Sequence, residues 1–121
     1  MKDKWKNKNF FEALKNALNG VKYTIKNENN IKVELIFAIF AIITSIVLKI
    51  NIIEMVIIIL IVFLVFFAEF INTTIENIVD LCTEEYNEKA KIAKDIAAGG
   101  VLIVSILSVI IGVLIFLPKI L

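Results

Sequence analysis

The hydrophobic positions of this chain form three long uncharged runs that are separated by polar segments. A helix of about 20 residues crosses a bilayer core of ~30 Å. Residues 96–117 reach that length without a charge, whereas 35–48 and 55–68 reach it once their helices continue into the flanking residues. The connection at 49–54 is short, so the first two runs form an antiparallel hairpin. The pattern predicts membrane spans at 32–50, at 53–80, where the helix includes a cytoplasmic extension, and at 96–117.

A different periodicity precedes the first run. Apolar residues recur there every three or four positions, namely Phe10, Leu14, Leu18, Val21 and Ile25. Lysines and asparagines occupy the other side. This spacing is typical of an amphipathic helix, and we predict one over 5–29. A basic helix of this kind lies in the membrane interface with its lysines toward anionic headgroups. A helix packed against its own protein is the alternative.

The composition places these runs in a membrane. Hydrophobic residues make up 60% of the 121 residues, and the mean hydropathy is +0.89, whereas a soluble domain has about 45–50% apolar residues. A soluble domain of this length could not bury so much apolar surface. The chain has one cysteine, Cys82, and no histidine, which excludes an internal disulfide and the usual zinc ligand sets. We predict a single all-α membrane domain, 1–121.

The charges nearly balance, at +1, but they are unevenly distributed. A balanced chain shows no electrostatic preference for nucleic acid, and we expect no nucleic-acid partner. Eight of the 13 lysines lie in residues 1–32 and three in 77–95, whereas Lys49 and Lys119 lie at the opposite ends of the spans. Lysine-rich ends face the cytoplasm. We therefore predict a multi-pass protein of the cell inner (plasma) membrane, with a cytoplasmic N terminus, a cytoplasmic loop at 81–95 and the C terminus outside.

The polar residues of the second predicted span share one face. Helical geometry places Asn72, Glu76 and Asp80 within about 60° of Glu69 around the helix axis. An ionisable side chain at membrane depth costs several kcal/mol on insertion scales. We expect a cation or a proton to compensate the three stacked carboxylates.

Further charged groups lie near the same end of the predicted bundle: Glu28, Glu34, Glu85, Lys94 and Asp95. One or two carboxylates together with substrate phosphates form a typical magnesium site. The four glycines form no Gly-x4-Gly-Lys loop, so metal and lysine would have to hold any phosphates. The residues alone therefore indicate a metal-phosphate site at the membrane surface.

Two motifs resemble those of a known family. They read Glu69-x-x-Asn72-Thr73-x-x-Glu76-x-x-x-Asp80 and Ala93-Lys94-Asp95-x-Ala97-Ala98-Gly99-x-Val101-Leu102. Together with the first helix and Glu28-Asn29-Asn30, they resemble the prokaryotic diacylglycerol kinase and undecaprenol kinase family over essentially the whole chain. The resemblance implies a homotrimer of three-span chains, each with an interfacial helix, that phosphorylates a membrane lipid alcohol with ATP and Mg²⁺.

The resemblance also implies roles for individual residues. Glu69 would be the general base, supported by Asn72, and Glu28 and Glu76 would bind the metal. The nucleotide would be contacted by Asn16, Glu28, Glu76, Asp80, Glu85, Tyr86, Asn87, Lys94 and Asp95. The lipid substrate would be contacted by Glu34, Glu69 and Ala98, although Glu34 could equally be an interface anchor.

Two other classes of function are compatible with single features of the chain. A small proton-coupled transporter would also keep Glu69 inside the membrane, but it gains nothing from a charged cluster at one end. A non-enzymatic membrane subunit needs no such cluster at all. We therefore predict a lipid kinase. Segments 28–30 and 97–100 resemble the undecaprenol kinase branch and favour undecaprenol over diacylglycerol, whereas Glu34 points to the other branch.

Overall fold

A computed structural model describes residues 4–121, and this part of the chain is all-helical. Its helices, in chain order, are α1 (Phe10–Asn27), α2 (Asn29–Val47), α3 (Ile52–Cys82) and α4 (Glu88–Ile120). The last three are long and apolar enough to cross a membrane, which agrees with the three predicted spans. With 31 and 33 residues, α3 and α4 are roughly 46 and 50 Å long. Both therefore extend beyond a hydrocarbon core of ~30 Å.

Asparagine side chains determine where three of the helices begin. Asn9 precedes α1 and Asn87 precedes α4, and each accepts a hydrogen bond from the backbone N–H three residues ahead, at 2.9 and 3.1 Å. Asn51 precedes α3 and forms a capping box with Glu54. These contacts satisfy N–H groups that have no partner within the first turn. Between α1 and α2 only Glu28 is non-helical, with an extended backbone.

The connection between α3 and α4 is shorter than the predicted loop at 81–95. Residues 88–95 are the first two turns of α4, so only 83–87 lie outside the helices. The Asn87 cap begins this extension, and an ion pair between Lys91 and Asp95, one turn apart at 2.6 Å, supports it. Hydrophobic periodicity does not predict the first two turns of α4, because these turns lie outside the apolar span.

Other helix ends also differ from the prediction. α1 begins at Phe10 rather than residue 5, because the Asn9 side chain caps the helix there. α2 begins at Asn29, earlier than the predicted residue 32. α4 continues through Pro118 to Ile120 instead of ending at residue 117.

The helices pack along one another mainly through α3. α3 contacts α4 along much of its length and contacts α2 less extensively, while α1 packs against α2. Few apolar residues of 4–121 are buried: Ile31, Ile58, Ile61 and Ile115. Most of the large apolar side chains of the three long helices lie at the surface, as expected of helices that face lipid or other protein chains.

The alternating helix directions give the bundle two distinct ends. The hairpin end holds the α2–α3 turn and the C-terminal end of α4, which an ion pair between Glu54 and Lys119 joins at 3.2 Å. The acidic end holds the start of α2, the end of α3 and the start of α4, with Glu28, Glu76 and Lys94. The first two spans are thus the antiparallel hairpin that the short connection predicts.

Candidate active site

The buried surface of α3 becomes polar toward the acidic end. Five residues of this helix are buried, and three of them are polar: Glu69, Asn72 and Thr73, with 3%, 9% and 5% of their surface exposed. Burying such groups is unfavourable unless each finds a partner. Buried polar side chains within a long apolar helix are therefore expected to have a function.

The polar residues that share one face of α3 form a ladder of four side chains: Glu69, Asn72, Glu76 and Asp80. Asn72 connects its buried part to its more exposed part. Its Nδ2 atom donates a hydrogen bond to Glu76 Oε1 at 3.1 Å. Asn72 Oδ1 and Thr73 Oγ1 are buried and have no hydrogen-bond partner among residues 4–121. These two oxygens are placed to interact with a bound molecule or water.

Carboxyl groups from three parts of the chain meet around Glu69. The Glu34 carboxyl, from α2, lies within hydrogen-bonding reach of the Glu69 carboxyl. Glu28, between α1 and α2, and Glu76, two turns further along α3, lie within electrostatic reach of Glu69. Since all four groups carry or can carry negative charge, the site attracts cations and protons.

One lysine of α4, Lys94, borders this acidic group. Lys94 Nζ donates a hydrogen bond to Asp80 Oδ1 at 2.7 Å and lies within electrostatic reach of Glu76. Lys94 precedes the uncharged stretch 96–117, and its hydrogen bond to Asp80 raises the pKa of the Lys94 ammonium. Asp95 instead pairs with Lys91. The neighbours Lys94 and Asp95 thus point to different partners, and only Lys94 reaches the acidic group.

The other predicted site residues lie at the surface. Asn16 is exposed on α1, where its amide donates a hydrogen bond to Asn7. Glu85, Tyr86 and Asn87 are exposed in the connection 83–87, and the Asn87 side chain is used as the cap of α4. Ala98 is exposed on α4. The structure brings none of these side chains into the cluster around Glu69.

The carboxylates fit a magnesium ion only together with ligands from a bound molecule. Among residues 4–121, no three histidine, cysteine, aspartate or glutamate side chains are placed to hold a metal ion together. Glu28 and Glu76 both act on Glu69, so they lie on the same end of the bundle. Two carboxylates fit a Mg²⁺ ion whose other ligands are phosphate oxygens and water.

Two features of the site were not recognised in the sequence. Thr73 is buried beside Asn72, and its position about 40° from Glu69 on the helix would have placed it on the ladder. The contact between Glu34 and Glu69 joins two helices and has no sequence signal, because it depends on how α2 is rotated against α3.

Two apolar clefts open beside the polar cluster. One of about 410 Å³ lies between α2, α3 and α4 and extends from Glu34 to Gly112 and Phe116. A second, of about 680 Å³, lies between α1, α2 and α3 and is lined almost entirely by apolar side chains. Phe66 borders both. Both clefts are large enough for part of a hydrocarbon chain.

The fold and the site together define an integral membrane protein with a polar site beside apolar clefts. The family model for prokaryotic diacylglycerol kinase matches residues 15–116. The chain is 40% identical over 110 residues to the undecaprenol kinase of Bacillus subtilis (strain 168), covering 91% of this chain and 89% of that protein. It is 34% identical over 114 residues to the diacylglycerol kinase of Synechocystis sp., covering 93% of this chain and 65% of that protein.

The chain belongs to the prokaryotic diacylglycerol kinase family. It is a membrane lipid kinase, a transferase that takes its phosphoryl group from a nucleotide. The family predicted from the two motifs is thus confirmed.

Proposed function

We propose that this protein transfers the γ-phosphoryl group of ATP to the hydroxyl of a membrane lipid alcohol, with undecaprenol favoured over diacylglycerol. The observation that carries the proposal is the burial of Glu69 in a polar ladder at one end of a lipid kinase. The preference for undecaprenol is supported by the higher identity to the undecaprenol kinase, 40% against 34%. The product is then undecaprenyl phosphate, or phosphatidic acid if the substrate is diacylglycerol.

Glu69 is suited to be the general base. Its carboxylate accepts the proton of the lipid hydroxyl while that oxygen bonds to the γ-phosphorus, and the bond from the γ-phosphorus to the bridging oxygen breaks to release ADP. A lipid hydroxyl lies near the hydrocarbon boundary, and Glu69 is buried next to Phe70 and the apolar part of α3. The depth of the base thus matches the depth of the acceptor.

Glu28 and Glu76 are the carboxylates suited to bind magnesium. A Mg²⁺ ion held there with ATP would supply positive charge that neutralises the phosphate oxygens. The hydrogen bond from Asn72 holds the Glu76 carboxylate in place at 3.1 Å. Glu76 lies seven residues from Glu69, about 10 Å along the helix, so the carboxylate that would hold the metal is separate from the base.

The remaining predicted residues are proposed to contact the nucleotide or the lipid. Lys94 is placed to interact with phosphates because it already lies within electrostatic reach of Glu76. Asp80 and Asp95 orient neighbouring lysines through ion pairs. Contacts to ribose, base and lipid are proposed for the exposed residues Asn16, Glu85, Tyr86, Asn87 and Ala98.

The acidic end is proposed to face the cytoplasm, where ATP is available, in the plasma membrane. The lysine distribution supports this orientation, since 11 of the 13 lysines lie in the sequence segments 1–32 and 77–95 and only two, Lys49 and Lys119, lie elsewhere. We also propose a homotrimer with α1 in the membrane interface. The many exposed apolar side chains of the single chain are compatible with both lipid contact and subunit contact.

The proposal is tested with purified protein in mixed micelles that contain ATP, Mg²⁺ and either undecaprenol or diacylglycerol. We expect phosphate transfer to both alcohols, with higher kcat/KM for undecaprenol, and no transfer when Mg²⁺ is chelated. Absence of transfer to any lipid alcohol would defeat the kinase mechanism, whereas faster diacylglycerol phosphorylation would reverse the substrate preference. Proton-driven flux without ATP in proteoliposomes would instead indicate a transporter.

A further inference from the structure

Two carboxyl groups face each other across the contact between α2 and α3. Glu34 projects from α2 toward Glu69 of α3, and the two carboxyls lie within hydrogen-bonding reach. Glu34 Oε2 is buried, and no N–H or O–H donor of residues 4–121 reaches it. Among residues 4–121, the group that acts on the Glu34 carboxyl is the Glu69 carboxyl.

Such a pair requires a proton. Two ionised carboxylates in contact repel each other strongly, so one shared proton is the stable arrangement. The other titratable groups within electrostatic reach of Glu69 are Glu28 and Glu76, which add negative charge. Where α4 borders the cleft beside Glu34, its polar side chains are Ser105 and Ser108, which carry no charge.

We infer that Glu34 is a positioning residue that holds the proton of this pair and donates a hydrogen bond to the Glu69 carboxylate. The inference rests on the proposed function in one respect: Glu69 must be ionised to act as the base, so the proton must reside on Glu34. This role differs from the lipid contact and the interface anchor considered from the sequence. It assigns to Glu34 the orientation of the base rather than the binding of the substrate.

The geometry gives this hydrogen bond a function in the reaction. A carboxylate with one oxygen held by Glu34 has its side chain fixed and presents the other oxygen to the lipid hydroxyl. Glu34 also lines one end of the 410 Å³ cleft between α2, α3 and α4. A hydrocarbon chain in this cleft would therefore place its hydroxyl next to the pair.

The experiment compares two substitutions that differ in hydrogen-bonding capacity. Glutamine in E34Q retains an N–H donor for Glu69, whereas leucine in E34L has none. We expect E34L to lower kcat by about 10- to 100-fold, the range for losing a hydrogen bond to a charged group. We expect E34Q to retain at least about tenfold higher kcat than E34L. In both variants the KM for the lipid, as a mole fraction in the micelle, and the KM for MgATP should change less than about threefold.

The matched control is E54Q, the same change on a carboxylate at the hairpin end, which should keep wild-type kinetics. Thermal unfolding in detergent verifies that the variants fold, and E34A replaces E34L if leucine prevents folding. Equal kcat in E34Q and E34L would overturn the inference. A higher lipid KM in both variants with normal kcat would also overturn it, because Glu34 would then be a substrate contact.

A further variant separates this inference from the proposed function. E69Q should be inactive even with Glu34 intact, because it lacks the base. If E69Q retains turnover, the general-base proposal fails regardless of Glu34. If E69Q is inactive and E34L has normal kcat, only the positioning role of Glu34 fails.

Discussion

Charged side chains have different partners at the hairpin end and at the acidic end of this helix bundle. At the hairpin end, the Glu54 carboxylate accepts a hydrogen bond from the backbone N–H of Asn51, the cap of its own helix. It also forms an ion pair with Lys119 of α4 at 3.2 Å. At the acidic end, four carboxyl groups meet, and Lys94, the lysine within reach of Glu76, is hydrogen-bonded to Asp80. Buried oxygens without partners also occur there. The comparison indicates that the hairpin end stabilises the fold, whereas the acidic end is organised to receive a ligand.

This difference is expected on physical grounds. A carboxylate that takes part in a capping box and an ion pair is stabilised within the protein itself, so its removal mainly lowers the stability of the fold. A carboxylate among other carboxylates is stabilised only when a cation or proton arrives. Substitutions at the hairpin end should therefore lower thermal stability, whereas substitutions at the acidic end should lower turnover or Mg²⁺ affinity.

The largest expected effect is that of Glu69→Gln at the acidic end. We expect turnover to fall by at least ~100-fold because the proposed general base is lost, while MgATP affinity changes little. Thermal stability should not decrease, since a neutral amide replaces a buried acidic group. Kinetics in mixed micelles and nucleotide titration check both statements. Unchanged turnover would remove Glu69 from the mechanism.

Glu76→Gln should have a smaller effect, and this effect should be on the apparent affinity for Mg²⁺. Losing one of the two carboxylates proposed to bind the metal should weaken the apparent affinity for Mg²⁺ by at least about tenfold, and excess Mg²⁺ should restore part of the turnover. The measurement is a Mg²⁺ titration of activity at fixed ATP. Asn77→Ala, an exposed neighbour on α3, is the control. An unaltered Mg²⁺ dependence would contradict the metal role of Glu76.

At the hairpin end, Glu54→Ala should affect stability and leave kcat unchanged. The substitution removes the Glu54 half of the capping box and the ion pair with Lys119, so the unfolding temperature should decrease. Thermal unfolding in detergent and kcat in mixed micelles are the two measurements. A loss of turnover without a loss of stability would show that the two ends are not separate in function.

The smallest effect on the protein is expected from labelling Cys82, which tests which end faces the cytoplasm. Cys82 is the single cysteine of the chain and is exposed near the acidic end. A membrane-impermeant maleimide should label it in inside-out vesicles and not in intact cells. Lys49→Cys in a Cys82→Ser background, at the exposed hairpin turn, should give the reverse result. Labelling of Cys82 from outside would invert the proposed orientation.

Much of the fold follows from the local sequence. The three apolar runs have the length of a bilayer, so they predict three spans without knowledge of their packing. The face shared by Glu69, Asn72 and Glu76 follows from helical periodicity alone, and two motifs are sufficient to indicate the family. Local polar signals determine helix starts as well, but the cap at Asn87 was not recognised because the hydrophobic pattern does not extend to that residue.

Several features of the site depend on how the helices pack. The number of spans, the ladder on α3 and the class of enzyme can be predicted from single segments, because periodicity and motif spacing are local properties. The contact of Glu34 with Glu69 and the pairing of Lys94 with Asp80 are visible only in the folded chain. Contacts between helices depend on their relative rotation and displacement, and side-chain packing over the whole bundle determines both.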